Sequence, residues 1–477
     1  MTSLKLIAVG SSTGLKVAAV LGLFAALSGG SGPASAKVSD AKLADDLEAL
    51  LGSDARAFGA ACKRAESSRD RRYAAPLVEL LRFPLGQEKA AVVAALGAIA
   101  GPAAGIGRGE PWHDGFTWLG AQKDPKLPPG FTDWKGRLLA ARVDPAMRRF
   151  FVPGAVSRIP IERIQWGGVK KDGIPALDRP ELIAAAEASY LTPEDRVFGV
   201  EIGGDARAYP LRILDWHEMA NDVVGDTPVS LAYCTLCGAG VLYATKAGDR
   251  TFTFGSSGLL YESNKLMYDR QTETLWNQLT GEPVTGALAG SGLRLERLPI
   301  VVTTWAKWQK DHPATRVLSP RTGFARDYAP GKPYGPYFAS PDLMFPSLGA
   351  SPRMAPKTQV FALLLGGAPK AYPLAELPKP GVISDRVGGS SGGVPVVLVI
   401  DETGAVRAYE RKDRTFGPVL RAALGSSFLA DQEGHAWKLG EDALTGPEGR
   451  RLARLPGHEA YWFGWSSFYP ATEVWSP

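Results

Sequence analysis

The chain repeats itself, and that constrains its fold more than any other feature. Val197-Phe-Gly-Val-Glu-Ile-Gly-Gly-Asp-Ala-Arg-Ala-Tyr-Pro-Leu211 aligns without a gap on Val360-Phe-Ala-Leu-Leu-Leu-Gly-Gly-Ala-Pro-Lys-Ala-Tyr-Pro-Leu374 with eight of 15 positions identical. Residues 294–317 align on 451–474 with 11 of 24 identical, including Leu298-Pro299 with Leu455-Pro456, Trp305 with Trp462, Trp308 with Trp465, and Pro313-Ala-Thr315 with Pro470-Ala-Thr472. Both blocks recur in the same order, about 160 residues apart. A fold for this chain must therefore present one supersecondary unit twice, over roughly 197–319 and 360–477.

Each unit reads as mixed α and β. In the first, period-two patterns predict strands at Val197–Ile202, Arg207–Tyr209 and Val229–Cys234, with a Gly203-Gly204 turn and a short helix after Pro210. A hairpin is expected from Val241–Thr245 to Thr251–Phe254, and a helix near Thr304–Lys310, capped by Thr303 or Thr304, carries Trp305 and Trp308 on one face. Asp215 and Glu218 are expected to form a capping pair. The fold class is α+β, two tandem β-rich repeats packed as a pseudo-twofold pair behind a small helical segment.

That helical segment, 37–104, has apolar residues three and four apart at Leu43, Leu47, Leu50 and Leu77, Leu80, Leu81, and breaks near Pro84 and Gly86; HEAT-like helix pairs fit it. Residues 105–179, rich in Trp and Pro, read as an irregular connector, 180–320 as the first repeat, 321–359 as a wrapped linker, and 360–477 as the second repeat. Residues 1–36 carry isolated lysines, an apolar run at Val17–Leu27 and Ala34-Ser35-Ala36, the pattern of a cleavable export signal. The expected product is periplasmic or extracellular with no membrane span after cleavage, since 11 apolar residues fall short of the roughly 20 a span needs. A net charge of +5, part of it in the leader, supplies no electrostatic footprint for nucleic acid.

Residues present in both units serve the shared fold, whereas reactive residues present in one are candidates for chemistry. Gly203-Gly204, Tyr209-Pro210 and the tryptophan pair recur. Cys234 and Cys237 do not: setting Pro228 on Pro395 places Asp401-Glu-Thr-Gly404 opposite them. His217 does not recur either: continuing the first block without a gap sets it against Pro380. Cys62, the remaining cysteine, is expected to be a buried small hydrophobe on a helix.

Tyr233-Cys234-Thr-Leu-Cys237-Gly238-Ala-Gly240 lies where a strand ends, and its glycines argue against a helix starting at the first cysteine. Two sulfurs at this spacing suit either thiol chemistry or a metal knuckle; Cys234, Cys237 and a neutral His217, with Met267 as a further donor, would hold copper or zinc. Downstream, Tyr261, Asn264, Asp269 and Arg270 are candidate binding residues, although an internal Asp–Arg pair explains the last two equally well. Ser256 and Ser257 lack a Gly-x-Ser-x-Gly elbow, and the sequence has no Walker A loop or dinucleotide fingerprint.

The runs Ala208-Tyr-Pro-Leu-Arg-Ile-Leu-Asp-Trp-His-Glu218, Tyr233-Cys-Thr-Leu-Cys-Gly238, Phe254-Gly-Ser-Ser-Gly-Leu-Leu-Tyr261 and Met267-Tyr-Asp-Arg-Gln-Thr-Glu-Thr-Leu-Trp-Asn-Gln278 resemble the uncharacterised family catalogued as domain of unknown function 3179. The resemblance covers about a third of the chain closely and the second repeat loosely. It carries no established activity. The family's label flags selenocysteine-containing relatives, and the resemblance implies that residue at the position of Cys234 or Cys237, hence redox chemistry.

Three functions follow as expectations. In the first, a thiol oxidoreductase, Cys234 attacks a protein disulfide or an oxidised small molecule, Cys237 resolves the intermediate and His217 lowers the thiolate pKa. The second is a copper- or zinc-binding protein using Cys234, Cys237 and His217. The third is a non-catalytic interaction protein with an inert turn.

Overall fold

A computed structural model describes residues 37–388, 392–421 and 427–477; the expected export signal lies outside them. The chain from Lys37 onward forms one compact unit. No helix among the described residues is long and apolar enough to cross a membrane.

The N-terminal helices form where the sequence places apolar stripes and caps. Asp40–Leu51 starts at Ser39, whose Oγ accepts from the Lys42 N–H at 3.3 Å, and Ala55–Ser68 starts at Asp54, whose carboxylate accepts from Arg56 and Ala57 N–H groups. Leu43, Leu47, Leu50, Phe58, Ala61 and Cys62 bury the facing stripes. Burial pushes the Cys62 thiol up to about 12, with Glu88 adding to the shift, so Cys62 is inert packing. Helices Ala74–Leu81 and Lys89–Ala100 flank the break at Pro84 and Gly86.

The tract 105–179 corrects the expectation of an irregular connector, because Pro111–Gly120 and Phe131–Arg142 are helices. Pro111 occupies the first helical position and Glu110 accepts from the His113 N–H, a sound helix start that the density of Trp and Pro obscures. Trp112, Phe116 and Leu119 then bury one face. From Gln165 the chain joins a sheet edge, where Trp166 stacks on Phe83 at 5.1 Å and couples the helices to the strands.

Strands Arg196–Ile202 and Asp205–Pro210 pair from Val197↔Pro210 to Ile202↔Asp205 around the Gly203-Gly204 turn, where both glycines adopt the positive φ that favours Gly. Gln359–Leu365 and Ala368–Pro373 pair from Val360↔Pro373 to Leu365↔Ala368. Each hairpin takes an antiparallel neighbour, Val301–Thr304 on the first and His458–Tyr461 on the second, and a parallel one, Arg316–Leu318 and Glu473–Val474. The helices Trp305–Asp311, capped by Thr304, and Trp462–Ser466 follow, and Trp308 Nε1 donates to Thr315 Oγ1 at 2.9 Å as Trp465 Nε1 does to Thr472 Oγ1 at 2.9 Å.

Beyond these hairpins the chain forms antiparallel sheets. Met219–Val224, Thr227–Cys234, Ala239–Ala244 and Glu296–Leu298 lie side by side, and Phe254–Tyr261, Asn264–Asp269, Leu275–Asn277 and Pro283–Thr285 make a second sheet. The expected hairpin at 241–254 is cut short: Lys246–Ala247 pairs with Arg250–Thr251 in a two-residue ribbon, and Phe254–Tyr261 leaves for the second sheet, burying Phe252 and Phe254 against Trp276. The C-terminal half has an eight-stranded sheet beginning with Gly381–Val387 and Val394–Ile400. Architecture is thus α+β, with a helical N-terminal region against the first group of sheets.

Candidate functional site

Thr227–Cys234 is buried along nearly its whole length, and Ala239–Ala244 returns beside it with Cys234 opposite Ala239. Between them the chain makes a tight turn, in which the Cys237 N–H donates to the Cys234 carbonyl at 3.2 Å and Gly238, at φ +56°, admits the reversal. The turn holds the two sulfurs 3.2 Å apart as free thiols. Cys234 is 1% exposed and Cys237 is fully buried.

The surroundings treat the two sulfurs differently. Burial alone would raise the Cys234 thiol, but hydrogen bonding to Cys237 and to the backbone N–H groups of Lys265 and Cys237 reverses the shift and holds it below the ordinary value. Burial and the neighbouring sulfur push Cys237 well above it. Asn264 Nδ2 donates to Cys237 Sγ at 3.4 Å and to Gln278 Oε1 at 2.8 Å, while Gln278 Nε2 donates to the carbonyls of Ala232 and Ala239. One amide network therefore locks Cys237 to both strands beside the turn.

Two residues outside the sequence-derived set complete the site. Glu218, in the left-handed conformation at the C-terminal end of helix Leu211–His217, accepts from Thr235 Oγ1 at 3.0 Å. Lys265 Nζ donates to the Glu218 carbonyl at 3.1 Å and pairs with its carboxylate at 3.3 Å. Glu218 is hence a helix C-cap and not the partner of Asp215 in an N-terminal capping box. Asp215 lies in the last turn, where burial, with Glu218 adding to it and a Tyr233 hydrogen bond opposing, raises its carboxyl to about 7.

Glu218, Cys234, Leu236, Lys265, Tyr334 and Phe345 are among the walls of a cavity of about 50 Å³. Its outer side comes from the tract 321–359, which wraps back over the turn: Tyr337 donates to the Leu236 carbonyl at 2.7 Å, and Trp216 Nε1 to that of Asp327 at 2.6 Å. Apart from the cavity, the C-terminal half packs on Cys237: the Tyr461 N–H donates to the Cys237 carbonyl at 2.7 Å and Gly464 lies against Cys237.

His217 is not with the thiols. Its Nδ1–H donates to the Pro175 carbonyl at 2.8 Å, so Nε2 accepts from the Tyr328 hydroxyl at 2.6 Å, and burial lowers its pKa, favouring this neutral form. Both nitrogens are committed, which removes His217 as metal ligand or base for Cys234 and leaves it fastening the wrapped tract. Met267 sits on Asn264–Asp269 opposite Ser256 and Trp276.

Of the four candidate binding residues, only Asn264 reaches the sulfurs. Tyr261 packs on Phe468 and under Arg163. Asp269 accepts from Trp276 Nε1 at 2.8 Å and from Thr272, as Asp431 does from Trp437 Nε1 at 2.9 Å, so it is scaffold. Arg270 pairs at the surface with Asp172 and Asp178. Among the described residues, the group of three His, Cys, Asp or Glu donors within 4.8 Å of one another is Asp431, Glu433 and His435, whose Asp431 is already engaged by Trp437 and Arg414.

At the position opposite the thiols, Asp401 Oδ1 accepts from the Thr403 and Ala405 N–H groups, a polar turn at the edge of a cleft of about 1050 Å³. Sequence reasoning missed Glu218 and Lys265 because their 47-residue separation shows no local pattern. The Glu beside His217 was the available signal.

No curated protein and no solved structure matches the chain. A family profile does match residues 171–472, a span that includes both hairpins, the thiol turn, Glu218 and Lys265, and the chain accordingly belongs to the family described as Protein of unknown function (DUF3179).

Proposed function

We propose that the protein is an exported thiol redox protein in which Cys234 is the attacking thiol and Cys237 the resolving one. The observation that carries this reading is the 3.2 Å approach of two reduced sulfurs, with Cys234 held below the ordinary thiol value and Cys237 held above it. A disulfide needs about 2.05 Å, so a small movement within one turn closes the bond. Glu218 opposes a thiolate, and the Lys265 ammonium neutralises it. The lowering of the thiol pKa expected of His217 falls instead to the hydrogen bonds from Cys237 and from the backbone N–H groups of Lys265 and Cys237.

The copper or zinc reading has less support, since His217 spends both ring nitrogens elsewhere. Export rests on the leader-like sequence 1–36. We read the two halves as copies of one unit packed about a pseudo-twofold axis, supported by the shared hairpin register and the paired Trp–Thr hydrogen bonds. In that reading the second copy has lost the thiols and walls in those of the first.

The test is an equilibrium redox titration of the whole protein in dithiothreitol buffers, incubated until local opening has brought the buried pair to equilibrium. Both thiols should disappear in a single two-electron transition that Cys234→Ser abolishes. A pair that stays reduced throughout, or that carries stoichiometric metal, contradicts the proposal.

A further inference from the structure

We infer that the oxidant consumed at Cys234 is a small hydroperoxide and not a protein disulfide, an inference that rests on the thiol redox reading above. Access to Cys234 separates the two oxidants. Attack on a disulfide requires an external sulfur to come to bonding distance of Cys234 Sγ with its own Cβ and chain attached. Cys234 is 1% exposed and faces a cavity of about 50 Å³. A water needs roughly 10–15 Å³ measured the same way, so this volume holds a few heavy atoms and no peptide. Leu236, Leu259, Tyr334 and Phe345 narrow the cavity to that volume, and Cys237, fully buried behind the turn, offers no second approach.

The chemistry of the walls matches the small molecule. Apart from the sulfur, the charged groups on the cavity are Lys265 and Glu218. Lys265 donates to the Glu218 carbonyl and forms an ion pair with its carboxylate, and an ammonium with three donors retains one for an oxygen in the cavity. The Cys234 thiolate attacks one oxygen of the O–O bond; that bond breaks, the sulfur becomes a sulfenic acid, and the departing alkoxide or hydroxide takes a proton from Lys265. The Cys237 thiol then attacks the sulfenic sulfur, the S–S bond forms, and hydroxide leaves as water with the Cys237 proton. In total one hydroperoxide and two thiols give one disulfide, one alcohol or water, and one water, with Lys265 reprotonated by the proton that the Cys234 thiol had released.

The test uses the full chain, reduced and freed of oxygen, mixed with one equivalent of hydrogen peroxide, of cumene hydroperoxide or of oxidised glutathione, and followed by thiol count and intact mass. Hydrogen peroxide should remove both thiols with the loss of two hydrogens, while the two bulky oxidants leave the pair reduced on the same timescale. In Phe345→Ala, which widens the cavity, cumene hydroperoxide should become reactive. Equal reactivity with oxidised glutathione overturns the hydroperoxide inference and leaves the redox reading standing. Inertness to all three oxidants overturns the inference, and if the pair also fails to oxidise at equilibrium the redox reading falls with it.

Discussion

The Sγ of Cys234 lies 3.2 Å from the Sγ of Cys237, yet of the two only Cys234 faces the cavity that Glu218 and Lys265 line. One turn thus separates a cavity-facing sulfur from an enclosed one. This asymmetry makes the two cysteines inequivalent in experiment. In Cys237→Ser, a hydroperoxide should leave a Cys234 sulfenic acid that persists long enough to be trapped by dimedone. In Cys234→Ser, Cys237 should stay unlabelled, its thiol being raised by burial. Faster labelling of Cys237 would reverse the assignment.

Gly464 tests the wall behind the pair. A Cβ at this position would fall 2.9 Å from Cys237 Cβ and 3.2 Å from its Sγ. Gly464→Ala should therefore cost about 1–3 kcal/mol of stability by overpacking. It should also slow disulfide formation by displacing Cys237, read by denaturant unfolding and by the oxidation rate of the same preparation.

Asp215 gives a pH dependence of stability. Its carboxyl is raised from 3.8 to about 7 by burial, so the folded state binds a proton that the unfolded chain releases above pH 4. Stability should fall as pH rises from about 4 to about 7 and then level, by a few kcal/mol at most. Asp215→Asn keeps the Tyr233 partner without the charge and should flatten that part of the curve, measured as Tm against pH.

His312 has the opposite sign. Burial disfavours its charge, but Glu201 at 3.1 Å and Glu441 at 3.7 Å prevail and raise its pKa to about 9, so a charged imidazole links the first hairpin to the C-terminal sheet. The stability it contributes is complete below pH 6.5 and is lost as pH rises through 9. His312→Gln should lower Tm at pH 6 and match the parent protein above pH 9.5. A difference that persists at high pH would mean that packing, not charge, is what His312 supplies.

His217→Ala separates the fastening role from a catalytic one. The variant loses the Tyr328 and Pro175 contacts, so limited proteolysis within 321–359 should accelerate. The pKa of Cys234 should not move, because neither ring nitrogen touches sulfur. A shifted thiol pKa would restore His217 to the chemistry.

Much of this was legible in the sequence because it is local or repeated. The Gly-Gly turns, the short helix after Pro210, Thr304 as a cap and the buried tryptophans follow from patterns within about ten residues, and comparing the two halves singled out Cys234 and Cys237. What was not legible depends on distant contacts. His217 looked like a ligand until Tyr328, 111 residues away, took its Nε2. Glu218 and Lys265 meet only because the strand Asn264–Asp269 passes beneath the end of a helix. The helices at Pro111–Gly120 and Phe131–Arg142 were hidden by residues that ordinarily mark loops.

The central claim is that Cys234 and Cys237 form a reversible couple, and the equilibrium redox titration with intact-mass readout tests it most directly. The account predicts joint loss of the two thiols in one two-electron transition, recovery of both on reduction, and no transition in Cys234→Ser. Two thiols that persist at every potential, or that disappear only on removal of a bound metal, would contradict it.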